Sequence, residues 1–246
     1  MRKYRFFSNQ PLASGQEVIL DHDLAHHIAR VLRLGVGEVI YLFNNSGNEF
    51  CTQITLVTKN TVTVLITSVE VATTESPLDL HLGLGLIKFD KIDLILQKCC
   101  ELGVKKVSLI ATQHTSIKHA YQRAHEKSGH WQKVLESAAG QCWRSTVPSL
   151  EIVEKIEHFI NSPDPATVSL ILDPRAPKNT LLNEPQPYQK IRVLIGPEGG
   201  FSEQECALAT AQGFLALNLG PRILRTETAC FCALTILQAK YGDLLC

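Results

Sequence analysis

The stretch that decides the fold runs from Ile191 to Ala229, opening I-R-V-L-I-G-P-E-G-G-F-S-E-Q-E (191–205) and closing L-G-P-R-I-L-R-T-E-T-A (219–229). Two short apolar runs, 191–195 and 214–219, each break at a glycine-containing turn that leads into a helix start. This is a strand–loop–helix unit repeated. Both loops can leave the same end of one sheet, where α/β folds hold their ligands. In 196–200 three glycines permit positive φ and let a ligand lie against bare backbone, while Pro197 stiffens the turn. Ser202-Glu203-Gln204-Glu205 is a capping box, and the helix it opens adds free N–H groups. Neither the P-loop G-K-[ST] nor the dinucleotide G-x-G-x-x-G is present. That places a nicotinamide dehydrogenase well behind other readings. The second loop sets Arg222, Arg225 and Glu227 between a strand and a helix. Helix capping accounts for Thr226 and the helix dipole for Glu227, which leaves Arg225, beside an apolar run, without an explanation of this kind.

Outward from this stretch, strands and helices alternate. Leu80–Ile87, Lys106–Ala111 and Val168–Asp173 read as strands, with Gly83 and Gly85 allowing other backbone to approach. Asp90–Leu102 reads as a helix that Asp90 caps, Gly103 ends, and Ile92, Ile95, Leu96 and Cys99 stripe. Helices around 122–141 and from Thr226 to Lys240 complete a mainly parallel sheet covered on both faces. Residues 1–74 differ. Glu17–Leu20, Glu38–Asn44, Glu49–Thr58 and Thr61–Glu70 are rich in Val, Ile and Thr, with hairpin turns at 44–47 and 59–60. Asp21–Leu34 is helical by pattern, Leu24, Ile28, Val31 and Leu32 sharing a face and Gly35 ending it. A small β-barrel domain is expected there, with the boundary in T-T-E-S-P (73–77) and an α/β domain over 75–246.

Composition narrows the function. A chain of 246 residues, 45% hydrophobic, with balanced charge can bury a core and does not coat nucleic acid indiscriminately. The eight cysteines show no C-x-x-C and sit mostly in apolar helical patterns, which points to a reducing cytoplasm. The charged N-terminal residues have no apolar stretch behind them to form a secretory leader, and no apolar run reaches membrane-spanning length. His22, His26 and His27 lie close together, but no third ligand has recognisable spacing, so no metal is expected.

The two loops together resemble the RsmE family of 16S rRNA (uracil-N3)-methyltransferases in the SPOUT superfamily. His26-His27-x-x-x-Val31-Leu32-Arg33, Gln97-Lys98-x-x-Glu101-Leu102-Gly103-Val104 and Gln141-x-x-Arg144-x-x-x-Pro148 extend the likeness in order along most of the chain. The chain departs from the family pattern at 111–116, where a proline and an arginine are missing, and at Gly140, where an acidic residue is expected.

The resemblance implies a PUA-like N-terminal barrel, a C-terminal α/β domain ending in a trefoil knot, a cytoplasmic homodimer, and S-adenosyl-L-methionine as cofactor. The substrate it implies is a uridine of 16S rRNA within the small ribosomal subunit. By position, the cofactor falls to Leu172, Ile195, Gly196, Pro197, Glu198, Gly199, Leu219, Gly220, Ile223, Leu224 and Thr226. Methylation at uracil N3 requires loss of the imide proton. Arg225 is therefore expected to stabilise uracil oxygens or a flanking phosphate, with Glu198 or Glu227 as proton acceptor. RNA contacts are expected from Arg2, Arg5, Arg30, Arg33, Lys98, Arg144 and Arg222, and from a further basic group at Lys118, Arg123, Lys127 and Lys133. Two rivals share these loops: another SPOUT enzyme acting on ribose 2′-O or a different base, and a non-catalytic RNA-binding assembly protein.

Overall fold

The computed structural model describes residues 3–115, 119–161, 166–176 and 188–245. The chain divides into two compact units, Met1–Glu75 with Glu136–Val147, and Ser76–Leu135 with Pro148–Cys246.

The first unit carries β1 (Arg5–Phe7), β2 (Glu17–Ile19), β3 (Val39–Phe43), β4 (Asn48–Val57) and β5 (Val62–Val71) in one mixed sheet of order β1-β3-β4-β5-β2. Alternation along β4 and β5 sends Phe50, Ile54, Val62, Val64 and Ile66 into a common core with Ile28, Ile40 and Leu42. Strand β1, unanticipated, pairs parallel with β3. Asp21 caps α1 (His22–His26) by accepting the Leu24 N–H at 2.9 Å. The expected continuous helix then widens into a π-helical segment, His27–Leu32. The extra residue per turn rotates Val31 off the core face, and it is 60% exposed. Gly35 does not end this helix. Arg33 does, in the left-handed conformation at φ 56.

The second unit is a six-stranded parallel sheet of order β11-β9-β10-β6-β7-β8. Its strands are β6 (Asp79–Gly85), β7 (Lys106–Ile110), β8 (Ser149–Val153), β9 (Val168–Leu172), β10 (Lys190–Ile195) and β11 (Leu215–Leu217). Burial on both faces explains the near-continuous apolar runs of β6 and β10. Helices α2 (Phe89–Glu101), α3 (Ala120–Gln141, in this unit up to Leu135), α4 (Ile156–Ile160), α5 (Glu203–Ala211) and α6 (Thr226–Tyr241) cover it. Strand β8 and helix α4 were not expected.

Two caps differ from expectation. Asp90 lies inside the first turn of α2, whose N-cap is Lys88. Thr226 is the first residue of α6, whose N-cap is Arg225, and neither cap residue bonds through its side chain. The capping box at Ser202 does form, with both reciprocal bonds present. One charged side chain sits inside the sheet. Arg192 of β10 donates to Ser169 Oγ at 2.6 Å and to the carbonyls of Phe159 and Ile160 at 2.8 and 3.2 Å, tying the end of α4 to the strand. Buried charge is tolerated because each of the three guanidinium nitrogens has an acceptor.

Candidate functional site

Strand numbering reverses direction between β6 and β10, and ligands of open parallel sheets gather at the carboxyl ends near such a point. Here the segments following β9, β10 and β11 enclose a cavity of about 520 Å³, a volume typical of cofactor pockets. Leu172, Ile195, Gly196, Pro197, Glu198, Gly199, Leu219, Gly220, Ile223, Leu224 and Thr226 all line it, as do Arg222 and Arg225. Phe201, Cys206, Leu217 and Ala229 complete the apolar part of the wall without having been singled out in the sequence.

The first loop holds its shape through backbone. Gly200 N–H donates to Pro197 O at 2.8 Å, and of the three loop glycines Gly200 takes positive φ, at 68°. Gly196 and Gly199 are bare for lack of room instead. A Cβ on Gly199 would stand 3.0 Å from His114 Cβ. The same logic reaches β6, where a Cβ on Gly85 would fall 2.5 Å from Pro197 Cδ and 2.8 Å from its nitrogen. Gly83, in contrast, makes room for the Phe159 ring and not for backbone.

Neighbouring elements brace this loop. His114 Nδ1 lies 3.1 Å from Gly199 O, and Thr226 Oγ1 donates to Gly196 O at 3.3 Å. The buried Glu205 carboxylate accepts from the N–H groups of Ser202 and Gln113, at 2.8 and 2.9 Å, so the capping box also anchors the segment after β7.

The charged side of the site centres on a residue the sequence reading passed over. Lys91, in the first turn of α2, places Nζ 3.3 Å from Glu227 Oε2 and 3.7 Å from Glu198 Oε1. Glu198 lines the cavity and Glu227 does not. The Glu227 carboxyl is held below the usual carboxylate range by the N–H of its own residue at the helix start. Lys91 and Arg225 add to this, against a smaller opposing effect of burial. Also in the cavity lining, Asp173 pairs with Arg175 at 3.0 Å, which outweighs burial and lowers the Asp173 carboxyl. Burial and the nearby Asp173 raise the Cys206 thiol.

A second cavity of about 390 Å³ lies in the same unit against β6, β7 and β8. His81 Nε2 is 2.6 Å from Ser108 Oγ, Ser108 donates to Glu151, and Glu151 pairs with Lys106 at 2.8 Å. Burial, with Lys106 beside it, lowers His81 to about 4.

The residues expected to grip RNA fare differently. Arg30 and Arg33 are exposed on the first unit. Arg2 and Lys118 lie outside the described residues. Lys98 is bonded to both carboxylate oxygens of Glu101 at 2.8 Å. Arg5 and Arg144 are buried, each with a carboxylate partner. Arg5, 8% exposed, binds Glu49 and donates to the carbonyls of Ala139 and Arg144 at 3.3 and 3.1 Å. Arg144, 3% exposed, forks onto Glu75 at 2.8 and 3.1 Å. Both guanidiniums hold the first unit together, because a buried charge needs its partner inside the protein. Among the described residues no three His, Cys, Asp or Glu side chains converge on a metal-sized site, and no helix is long and apolar enough to cross a membrane.

Known proteins match this arrangement. Residues 74–238 match an RNA methyltransferase domain family and residues 20–67 an RNA methyltransferase PUA domain family. A ribosomal RNA small subunit methyltransferase E from Buchnera aphidicola subsp. Schizaphis graminum is 32% identical, over 98% of this chain and 97% of its own. A Legionella pneumophila methyltransferase solved with bound cofactor SAM is 35% identical with TM-score 0.93, over 99% of this chain and all of its own. A ribosomal RNA small subunit methyltransferase E from Neisseria gonorrhoeae, solved with S-adenosyl methionine, is 31% identical with TM-score 0.90, over 99% and 100%.

Proposed function

The chain belongs to the RsmE family of small-subunit ribosomal RNA methyltransferases, and from that premise we propose that it methylates N3 of a uridine in 16S rRNA. It is an S-adenosylmethionine-dependent rRNA methyltransferase with a PUA-like N-terminal domain. The observation that carries the reading is the cavity built by the segments after β9, β10 and β11, whose lining combines the glycine backbone of 196–200 with apolar side chains.

The residues present suit the cofactor. Leu172, Leu219, Ile223 and Leu224 offer apolar cover for an adenine, the backbone of 195–200 offers N–H and C=O groups to read its edge, and Glu198 offers negative charge towards a sulfonium. Bound there, the cofactor supplies an electrophilic methyl group. The chain's own residues must position the base, take up the imide proton and offset the charge left on the uracil. Arg225, exposed at the N-cap of α6 and on the cavity wall, is placed to meet a uracil oxygen or the flanking phosphate. Glu198 is the better acceptor of the two glutamates, since it lines the cavity while Glu227 is committed to its own N–H and to Lys91. Lys91 orients both. Arg222 at the cavity and Arg30 and Arg33 on the first unit serve RNA phosphates.

The trefoil knot belongs to this proposal, formed by the same segments that line the cavity, as do the homodimer and a cytoplasmic site of action. The test is to incubate unmodified small subunits with the chain and isotopically labelled cofactor, then locate the methyl group by mass spectrometry of rRNA fragments. A label on uracil N3 supports the assignment. Label on ribose 2′-O or on another base overturns it.

A further inference from the structure

At the end of α3, Cys142 N–H still bonds back to Ala138 O at 2.9 Å and Arg144 N–H reaches Ala139 O at 3.1 Å. This is the closing pattern of a helix whose residue between them turns left-handed, a place usually given to glycine. In this chain the residue is Trp143, at φ 66. A bulky side chain is strained there, and such strain persists where the surroundings hold it and clusters at sites of function. The same side chain is 37% exposed, while the other tryptophan, Trp131, is fully buried.

Its surroundings are aromatic and cationic, all within the first unit. Tyr41 of β3 has its ring centre 6.2 Å from that of Trp143, the planes inclined at 52°. The exposed Lys3 ammonium lies 5.0 Å from the Tyr41 ring centre and 5.1 Å from that of Trp143. From the inner side the Arg5 guanidinium stands 5.0 Å from Trp143 and 4.8 Å from Phe43. Thr74 Oγ1 donates to Trp143 O at 2.6 Å, fixing the backbone that carries the ring. Of the carboxylates beside this cluster, Glu49 is taken up by Arg5 and Glu75 by Arg144, and among the described ion pairs Lys3 has none.

We propose that Trp143, Tyr41 and Lys3 form a platform for an unpaired RNA nucleotide. A base stacks on the Trp143 face, and the Lys3 ammonium, which now covers the two rings, turns to the adjoining phosphate. Stacking on aromatic rings beside a mobile cation is how proteins hold unpaired strands without reading sequence. The buried Arg5 serves the platform from below, fixing the ring's position instead of meeting RNA itself. The inference rests on the reading of the chain as an RNA-modifying enzyme and adds a contact of its own to it: an extruded or loop nucleotide held by the first unit.

The experiment uses the full chain and a single-stranded RNA decamer of mixed sequence, read by tryptophan fluorescence and by filter binding. RNA quenches the wild-type emission. Trp143→Phe, which leaves only Trp131, keeps most of the affinity and loses the quench. Trp143→Gly weakens binding about tenfold while its Tm stays at or above the wild-type value, since glycine adopts this φ freely. Lys3→Ala lowers the slope of log affinity against log salt by about one. If Trp143→Gly lowers Tm and leaves RNA affinity unchanged, the ring merely covers Arg5 and the platform is overturned. Methylation of small subunits, measured on the same preparations, separates the two ideas. Intact methylation with unchanged affinity in Trp143→Gly sinks the platform alone. RNA quenching by a wild-type chain that methylates no subunit supports the platform and sinks the enzymatic assignment.

Discussion

The Lys91 ammonium stands 3.3 Å from Glu227 and forms, with Glu198 at 3.7 Å, a bridge from the first turn of α2 to both glutamates of the site. One cation shared by two carboxylates makes them unequal, because Glu227 is also bound by its own N–H while Glu198 faces the cavity. Glu198→Gln is therefore expected to lower kcat at least about 100-fold, the usual loss for a general base. Glu227→Gln is expected to cost less than about tenfold. Lys91→Met releases both carboxyls from their shared cation, so kcat is expected to fall, though by less than in Glu198→Gln. Equal losses for the two glutamine variants would sink the assignment of Glu198.

Gly85 is a second point of control, since the last residue of β6 touches Pro197 of the cofactor loop. A methyl at Gly85 would overlap Pro197 backbone, which cannot swing away as a flexible side chain could. Gly85→Ala is expected to displace the loop and weaken S-adenosylmethionine binding tenfold or more, measured by calorimetry. Gly129→Ala in α3 is the control. Nothing lies within 4 Å of its added methyl, and removing a mid-helix glycine should stabilise the chain by about 0.5–1 kcal/mol. Unchanged cofactor affinity in Gly85→Ala would show that the loop tolerates the shift.

His81 gives the second unit a pH dependence of definite sign. Its folded value, about 4, lies below the ordinary 6.5, so between those values the unfolded chain takes up a proton that the folded chain refuses. Stability contributed by the neutral ring is present above pH 6.5 and falls away towards pH 4, by no more than about 3 kcal/mol. His81→Gln should flatten this slope in urea unfolding followed from pH 7 to 4. An unchanged slope would mean that the ring titrates alike in both states.

How far the sequence could be read depends on the range of the interactions. The 196–200 and 219–226 loops were legible because strand, turn glycine and helix cap are neighbours in the chain, and Ser202 with Glu205 forms the expected box. Lys91 was not. Within α2 it looks like any solvated lysine, and only the packing of α2 on α6 brings it to Glu227, 136 residues away. Arg5 and Arg144 resembled an RNA-facing basic group for the same reason, their carboxylates lying 44 and 69 positions off. The segment S-L-E-I-V-E-K-I-E-H-F-I (149–160) alternates in a way that suits strand or helix. It becomes β8 and α4 in turn, with Arg192 bonding the last carbonyls of α4. The π-helical turn at His27–Leu32 has no glycine or proline to announce it, which is why the regular helical pattern puts Val31 on the core face while the fold exposes it.

The Arg144–Glu75 fork gives the first unit a dependence on pH opposite in origin to that of His81, through a carboxylate. Burial alone would raise the Glu75 carboxyl, but the hydrogen bonds and charge of Arg144, with Thr146, outweigh it and hold the group below its ordinary value. A depressed carboxyl contributes stability that is present above the unfolded value, about 4.3, and lost as pH falls through the folded one. Trp143 belongs to this unit and is partly exposed, whereas Trp131 belongs to the other. Emission from a Trp131→Phe chain thus follows the first unit by itself. Its acid transition below about pH 4.5 should weaken in Glu75→Gln, at the cost of lower stability at pH 7, where Arg144 is left buried without its carboxylate. Arg144→Met together with Glu75→Leu should recover part of that loss and still lack the acid transition. A double variant no more stable at pH 7 than Glu75→Gln would show that the pair does more than neutralise itself.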